Sequence, residues 1–248
     1  MTAMHFSVFA LASVADVATT RRLYALDDLD DKAVSKVLFH QRKQQTGSSE
    51  ALRWDQRMLV GISVIEYGSA GLRVTSCDFS TGEERTMLDA YYAAAARNPR
   101  VVCWDGRDLD RPLLHFRSLM HRVSAPAYWN AAGGAAASHV DIRASLAPPG
   151  DDLPSLDVTA RKLGYPGMLG RDDDDVHTAW LRREPEAVRA YVEVAALNTF
   201  LLTLRLFSMT GEIDADAARE AEDSVRAWLH QRAQTHHLAA FLDAWRDA

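Results

Sequence analysis

The chain has almost no cysteine. Only Cys77 and Cys103 occur among its 248 residues, and neither belongs to a CxxC pair. That speaks against a disulfide framework or a thiolate zinc site, and it suits a reducing cytoplasm. The sequence has no HExxH, and its nine histidines are scattered apart from His236-His237. Basic charge is not in excess either. Lys and Arg total 28 against 34 Asp and Glu, a net charge of −6. A uniformly basic nucleic-acid binder is therefore not expected, although an acidic metal centre beside a local basic groove fits that balance. No uninterrupted run of about 18 apolar residues appears, so no membrane span is expected. The N-terminus lacks a basic stretch followed by an apolar core, so no signal peptide is expected.

What is there is ordinary globular material, 48% hydrophobic and 25% charged. The length fits one α/β domain with a helical appendage. HFSVFALAS at 5–13 is apolar and rich in β formers, and suits a first buried strand. Polar residues follow, with helical character around 30–41. Two strand-like runs, 58–67 and 72–77, flank GSAG at 68–71, which is a hairpin signal. A helix is predicted over 83–97, stopped by Asn98-Pro99. RVVCW at 100–104 reads as a short buried strand, 111–122 as a second helix, and 139–142 as a last strand. AAGGAAAS at 131–138 is low in complexity and reads as flexible, and PPGDD lies at 148–152. From Leu153 onward the reading is helical, with breaks at 164–170 and at Gly211. The helix over 184–209 carries the clearest apolar period. By this pattern alone the chain is α/β with a mixed sheet.

Several segments resemble, in order, the predicted 3′–5′ exonucleases related to the proofreading domain of B-family DNA polymerases, a DEDD group of the ribonuclease H-like superfamily. FALAS followed by Val14-Ala15-Asp16 is similar to a first motif near FDIET-VPD. RRLYAL at 21–26 matches the family's style. CWDGRDLDRPLL at 103–114 is similar to SWNGxxFDLPVL, SAPAYW at 124–129 to SAPRYW, and HVDI at 139–142 to an HxDL segment. LGYPGMLG at 163–170 is similar to an LGFPGK segment, and YVEVAALNTFLLTLR at 191–205 to YCETDVLNTYLVYLR. The resemblance implies a ribonuclease H-like mixed sheet flanked by helices over residues 1–210. Residues 211–248 would add a C-terminal helical extension packed on the same domain.

The resemblance also implies a chemistry. Family members hold two Mg²⁺ or Mn²⁺ ions, about 4 Å apart, on four carboxylates. One ion activates the attacking water and the other stabilises the leaving oxygen. Here the acid positions of the first motif hold Ala10 and Ala12, and that of the third holds Ala195. A spacing of two along a strand places positions 10 and 12 on one face. Asp110 keeps the second-motif acid, and Tyr191, one helical turn before position 195, matches the tyrosine that positions the water. A methyl group offers no lone pair, so this reading predicts a catalytically inactive chain that needs no cofactor and binds single-stranded nucleic acid. Asp110 would keep a metal weakly or not at all, and Asp141 on the last strand is a further metal candidate. Without its metal partners, Asp110 reads instead as a cap of the helix at 111–122.

Trp104 is a base-stacking candidate or a core residue, Arg107 and Arg111 are phosphate contacts or solvated charges, and Tyr191 is a site remnant or core. Asn198 and Thr199 are expected to bond locally. The DDDD run at 172–175 reads as a solvated loop or helix start, with a weak cation site as the alternative. Two other functions stay open. One is an exonuclease whose acids were mutated away or replaced by other carboxylates. The other is a protein-interaction scaffold, with a partner or homodimer contact through the C-terminal helices.

Overall fold

The computed structural model describes residues 5–98, 100–130, 139–146 and 154–245. The expected flexible run at 131–138 and the PPGDD loop lie outside them. A five-stranded sheet organises the chain, in the order β3-β2-β1-β4-β5. Its strands are β1 (Phe6–Ala15), β2 (Arg57–Gly68), β3 (Gly71–Asp78), β4 (Val101–Cys103) and β5 (His139–Asp141). β2 runs antiparallel to β1 and β3, whereas β1, β4 and β5 are parallel. The hairpin turn needs only Ser69 and Ala70 between the paired Gly68 and Gly71, and Gly71 takes φ 87° there. This mixed sheet flanked by helices is the α/β architecture of a ribonuclease H-like exonuclease.

The N-terminal segment holds one more helix than the sequence pattern indicates. α1 (Val17–Tyr24) precedes α2 (Asp31–Thr46). Asp16 caps α1 by accepting the Thr19 N–H at 3.0 Å, and its buried carboxylate also pairs with Arg117. A polar residue just past a strand is here a helix start rather than a free turn acid.

β1 alternates between two cores. Phe9 faces α3 (Glu84–Arg97) and α4 (Arg111–His121), among Ile62, Val64, Tyr91 and Leu113. Phe6 and Val8 face the long helix α9 (Pro185–Met209), where Phe6 stacks on Phe200 at 5.3 Å. Short helices α5 (Pro126–Trp129), α6 (Ile142–Leu146) and α7 (Leu156–Lys162) lead to α8 (Asp173–Arg182). After α9 come α10 (Ala215–His230) and α11 (His236–Ala244).

Sequence periodicity makes α9 amphipathic, but the structure buries it on most of its circumference. The sheet covers one side, and Leu229, Leu238 and Phe241 of the C-terminal helices cover the other. α9 is the one helix among the described residues long and apolar enough to span a bilayer, and 78% of its most apolar window is buried inside the protein, as in a core helix. His237 Nε2 meets Glu193 of α9 at 2.6 Å, fastening α11 to it. The apolar faces offered by the C-terminal helices are thus largely covered by the chain itself.

Candidate functional site

A cleft of about 790 Å³ opens beyond the C-terminal ends of β1 and β4. Three elements aim residues into it. α9 contributes Tyr191, Ala195 and Thr199, spaced by four so that they form one stripe. β1 contributes Ala10. After β4 the chain passes Trp104 and Asp105 into a π-helical turn, Gly106–Asp110, which brings Leu109 and Asp110 to the cleft wall. The Asp110 N–H donates to the Asp105 carbonyl at 3.1 Å, closing that turn.

The structure therefore brings Ala10, Asp110, Tyr191 and Ala195 together. It does not bring Ala12. Opposite Ala12 the sheet register slips, with Ala12 paired to Gly61 and Ser13 to Leu59, so Val60 is the extra residue of a bulge. Ala12 is 2% exposed and belongs to the core formed with Val188 and Val192. A Cβ built on Gly61 would lie 2.7 Å from Val188 Cγ1 and 3.5 Å from the Ala12 methyl, so the packing there has no spare room.

Asp110 does not cap α4. Its backbone is helical, at φ −62° and ψ −51°, and its side chain makes no capping bond. The π turn carries the helical path upstream, so Asp110 lies inside that path rather than at its start. Burial, then the nearby carboxylates of Asp105 and Asp141, push the Asp110 pKa well above the usual carboxylate range. Burial also raises the pKa of Asp105, against the pull of Arg143, whose Nη1 donates to Asp105 Oδ2 at 2.8 Å. Tyr191 donates its hydroxyl to Asp173 Oδ1 at 2.7 Å. Burial and the Asp173 charge raise its pKa well above that of a free phenol, so it stays protonated and serves as a donor.

Acids outside the family motifs also line the cleft. Asp172 and Asp173 reach its rim, and Asp157 lies on its wall. The DDDD run is a helix start as expected, with Asp172 capping α8 and Asp175 closing a reciprocal capping box. That run was the available signal for its second role. Arg57, Arg143 and Arg171 also line the cleft, with no motif to mark them. Among the described residues, no group of three or more His, Cys, Asp or Glu side chains is arranged to hold a metal ion. Methyl groups at positions 10 and 195 do not fit a two-metal centre, so no step through metal follows from these residues.

Trp104 is half-buried, packed against the α9 core while lining the cleft. Arg107, Arg111 and Asp141 lie elsewhere. They line a neighbouring depression of about 400 Å³ beyond the π turn, with His139 and Ser145. Asp141 does not line the cleft. Its Oδ1 accepts the Ala144 N–H at 2.8 Å and its Oδ2 the Arg107 N–H at 2.7 Å, so it braces the loop. Asn198 does not bond only locally. It spans 31 residues to Gly167, receiving that residue's N–H at 3.0 Å. Thr199 does bond locally, donating to the Ala195 carbonyl at 2.8 Å.

No curated protein matches the sequence. A family described as predicted 3′–5′ exonucleases related to the exonuclease domain of PolB matches residues 49–245. That span contains Asp110, Tyr191, Ala195, the GYPG segment and both C-terminal helices, while β1 with Ala10 and Ala12 precedes it. The chain belongs to this family of predicted 3′–5′ exonucleases related to the exonuclease domain of PolB.

Proposed function

We propose that this chain holds single-stranded nucleic acid in its nuclease-like cleft without hydrolysing it. One observation carries the reading. The cleft keeps Asp110 and Tyr191, but Ala10 and Ala195 face them where the family resemblance places metal-binding acids. One carboxylate cannot organise two Mg²⁺ ions, and without them water is not ionised at neutral pH. Binding needs less. Arg57 and Arg171 offer cations to a strand among the cleft's aspartates, and Trp104 offers an aromatic surface for a base.

A second reading, a relocated metal site, draws on Asp172 and Asp173 at the rim. Asp173 is engaged by Tyr191 and Asp172 by the α8 backbone, which disfavours it. One experiment separates the readings. Purified protein is mixed with labelled single-stranded DNA and RNA, with Mg²⁺ or Mn²⁺, and followed by anisotropy and by gel. Binding that weakens with salt and leaves the strand intact is expected. Metal-dependent shortening would establish the relocated site. Absence of binding to both polymers would leave a protein-interaction scaffold.

A further inference from the structure

We propose that the depression lined by Arg107 and Arg111 is a second phosphate subsite, so that one single strand occupies both it and the cleft. This rests on the nucleic-acid reading above and extends it. The two hollows are neighbours, separated by the five-residue π turn Gly106–Asp110. Leu109 and Asp110 line the cleft, whereas Arg107 and Arg111 line the depression. The turn and the first residue of α4 thus present an acid to one hollow and two cations to the other.

The cations are available. Neither the Arg107 nor the Arg111 guanidinium has an ion-pair or hydrogen-bond partner among the described residues. Arg143 in the cleft, by contrast, is bound to Asp105. The carboxylate sharing the depression forms no ion pair with them among the described residues, and both Asp141 oxygens accept backbone N–H groups instead. His139 lines the same depression, and its Nδ1 is a buried polar atom with no partner among the described residues. Its Nε2 is already shared with the Tyr91 and Tyr128 hydroxyls, each at 2.9 Å. Two unpaired guanidiniums beside an unsatisfied ring nitrogen suit an oxyanion with several acceptor oxygens. A backbone phosphate of a strand leaving the cleft supplies that chemistry, and its negative charge tolerates any base sequence.

The test is equilibrium binding of fluorescent oligodeoxythymidylates of about 3 and about 12 nucleotides across a salt series, short and long within the range that such grooves cover. R107A/R111A is compared with the unaltered protein. The short probe, confined to the cleft, should bind both equally. The long probe should bind the double variant at least about tenfold more weakly at low salt, and the slope of log K against log salt should fall by about 1.4, the release expected for two phosphates. Each single variant should lose about half of that slope. Unchanged long-probe affinity and slope, with the unaltered protein still binding, would overturn the subsite and leave the cleft reading standing. Equal weakening of both probes would also overturn it. Failure of the unaltered protein to bind either probe would overturn both proposals.

Discussion

Asn198, at the middle of α9, holds Gly167 by both of its backbone polar groups. Its Oδ1 accepts the Gly167 N–H at 3.0 Å, and its Nδ2 donates to the Gly167 carbonyl at 2.8 Å. Gly167 needs to be glycine, since its φ is +70° and a Cβ there would run into Asp157 and Arg161. The clamp fixes the loop whose next residues, Met168 and Gly170 to Asp173, line the cleft. Two sequence segments that look unrelated, LNT and GYPG, are the two halves of this one contact.

Asn198→Ala should therefore destabilise the chain by about 2–4 kcal/mol. It leaves two buried backbone groups unpaired at about 1–3 kcal/mol each. For a chain of this size the melting temperature should fall by roughly 5–15 °C. Thermal unfolding by circular dichroism measures it, and an unchanged midpoint would refute the clamp.

Asp110→Asn should stabilise the fold at neutral pH. Burial and neighbouring carboxylates raise the Asp110 pKa in the folded state, so the ionised form is disfavoured there relative to the unfolded chain. Removing the charge relieves that penalty. A gain of about 1 kcal/mol corresponds to a midpoint higher by about 2–4 °C. As pH falls through the raised pKa, the native carboxyl becomes neutral and the advantage of Asn disappears. Melting curves from pH 8 down to 4 should show the two proteins converging.

Acid should unfold the chain partly through two histidines. Burial, then the charge of Arg111, lowers the His139 pKa to about 3 and that of His115 to about 4. Unfolded, each titrates near 6.5. Between those values the unfolded chain binds protons that the native one refuses, so stability falls as pH drops from about 6.5 toward 4. His139→Gln should reduce that dependence by about 1 kcal/mol per pH unit, read from denaturant midpoints between pH 6 and 4.5. An identical pH slope in the variant would show that His139 is not held neutral.

Restoring acids should not be equally tolerated at the three alanines. Ala10 and Ala195 line the cleft, although they are only 8% and 5% exposed, while Ala12 is in the core against Val188 and Val192. A10D/A195D should fold, and Mn²⁺ should raise its melting temperature by a few degrees while leaving the unaltered protein unmoved. Ala12→Glu inserts a charged side chain into close packing and should cost about 3–5 kcal/mol. Melting of the single and double variants with and without Mn²⁺ measures both. A stable Ala12→Glu protein would mean that the bulge at Val60 relaxes.

The sequence by itself determined most of the elements and the family. An apolar run rich in β formers marks β1, the GSAG turn sets the β2–β3 hairpin, and the four-residue spacing of Tyr191, Ala195 and Thr199 puts one stripe of α9 on the cleft. These are local relations, fixed by the periods of two and 3.6 that backbone geometry imposes. Only the tertiary structure decided which candidates share a space. A bulge opposite Ala12 sends position 12 into the core. A π turn draws Asp110 into the cleft and leaves Arg107 and Arg111 beyond it. The fold brings Asp173 to Tyr191 across 18 residues, and Asn198 to Gly167 across 31. Such contacts depend on register, irregular turns and helix packing, which no spacing rule along the chain encodes.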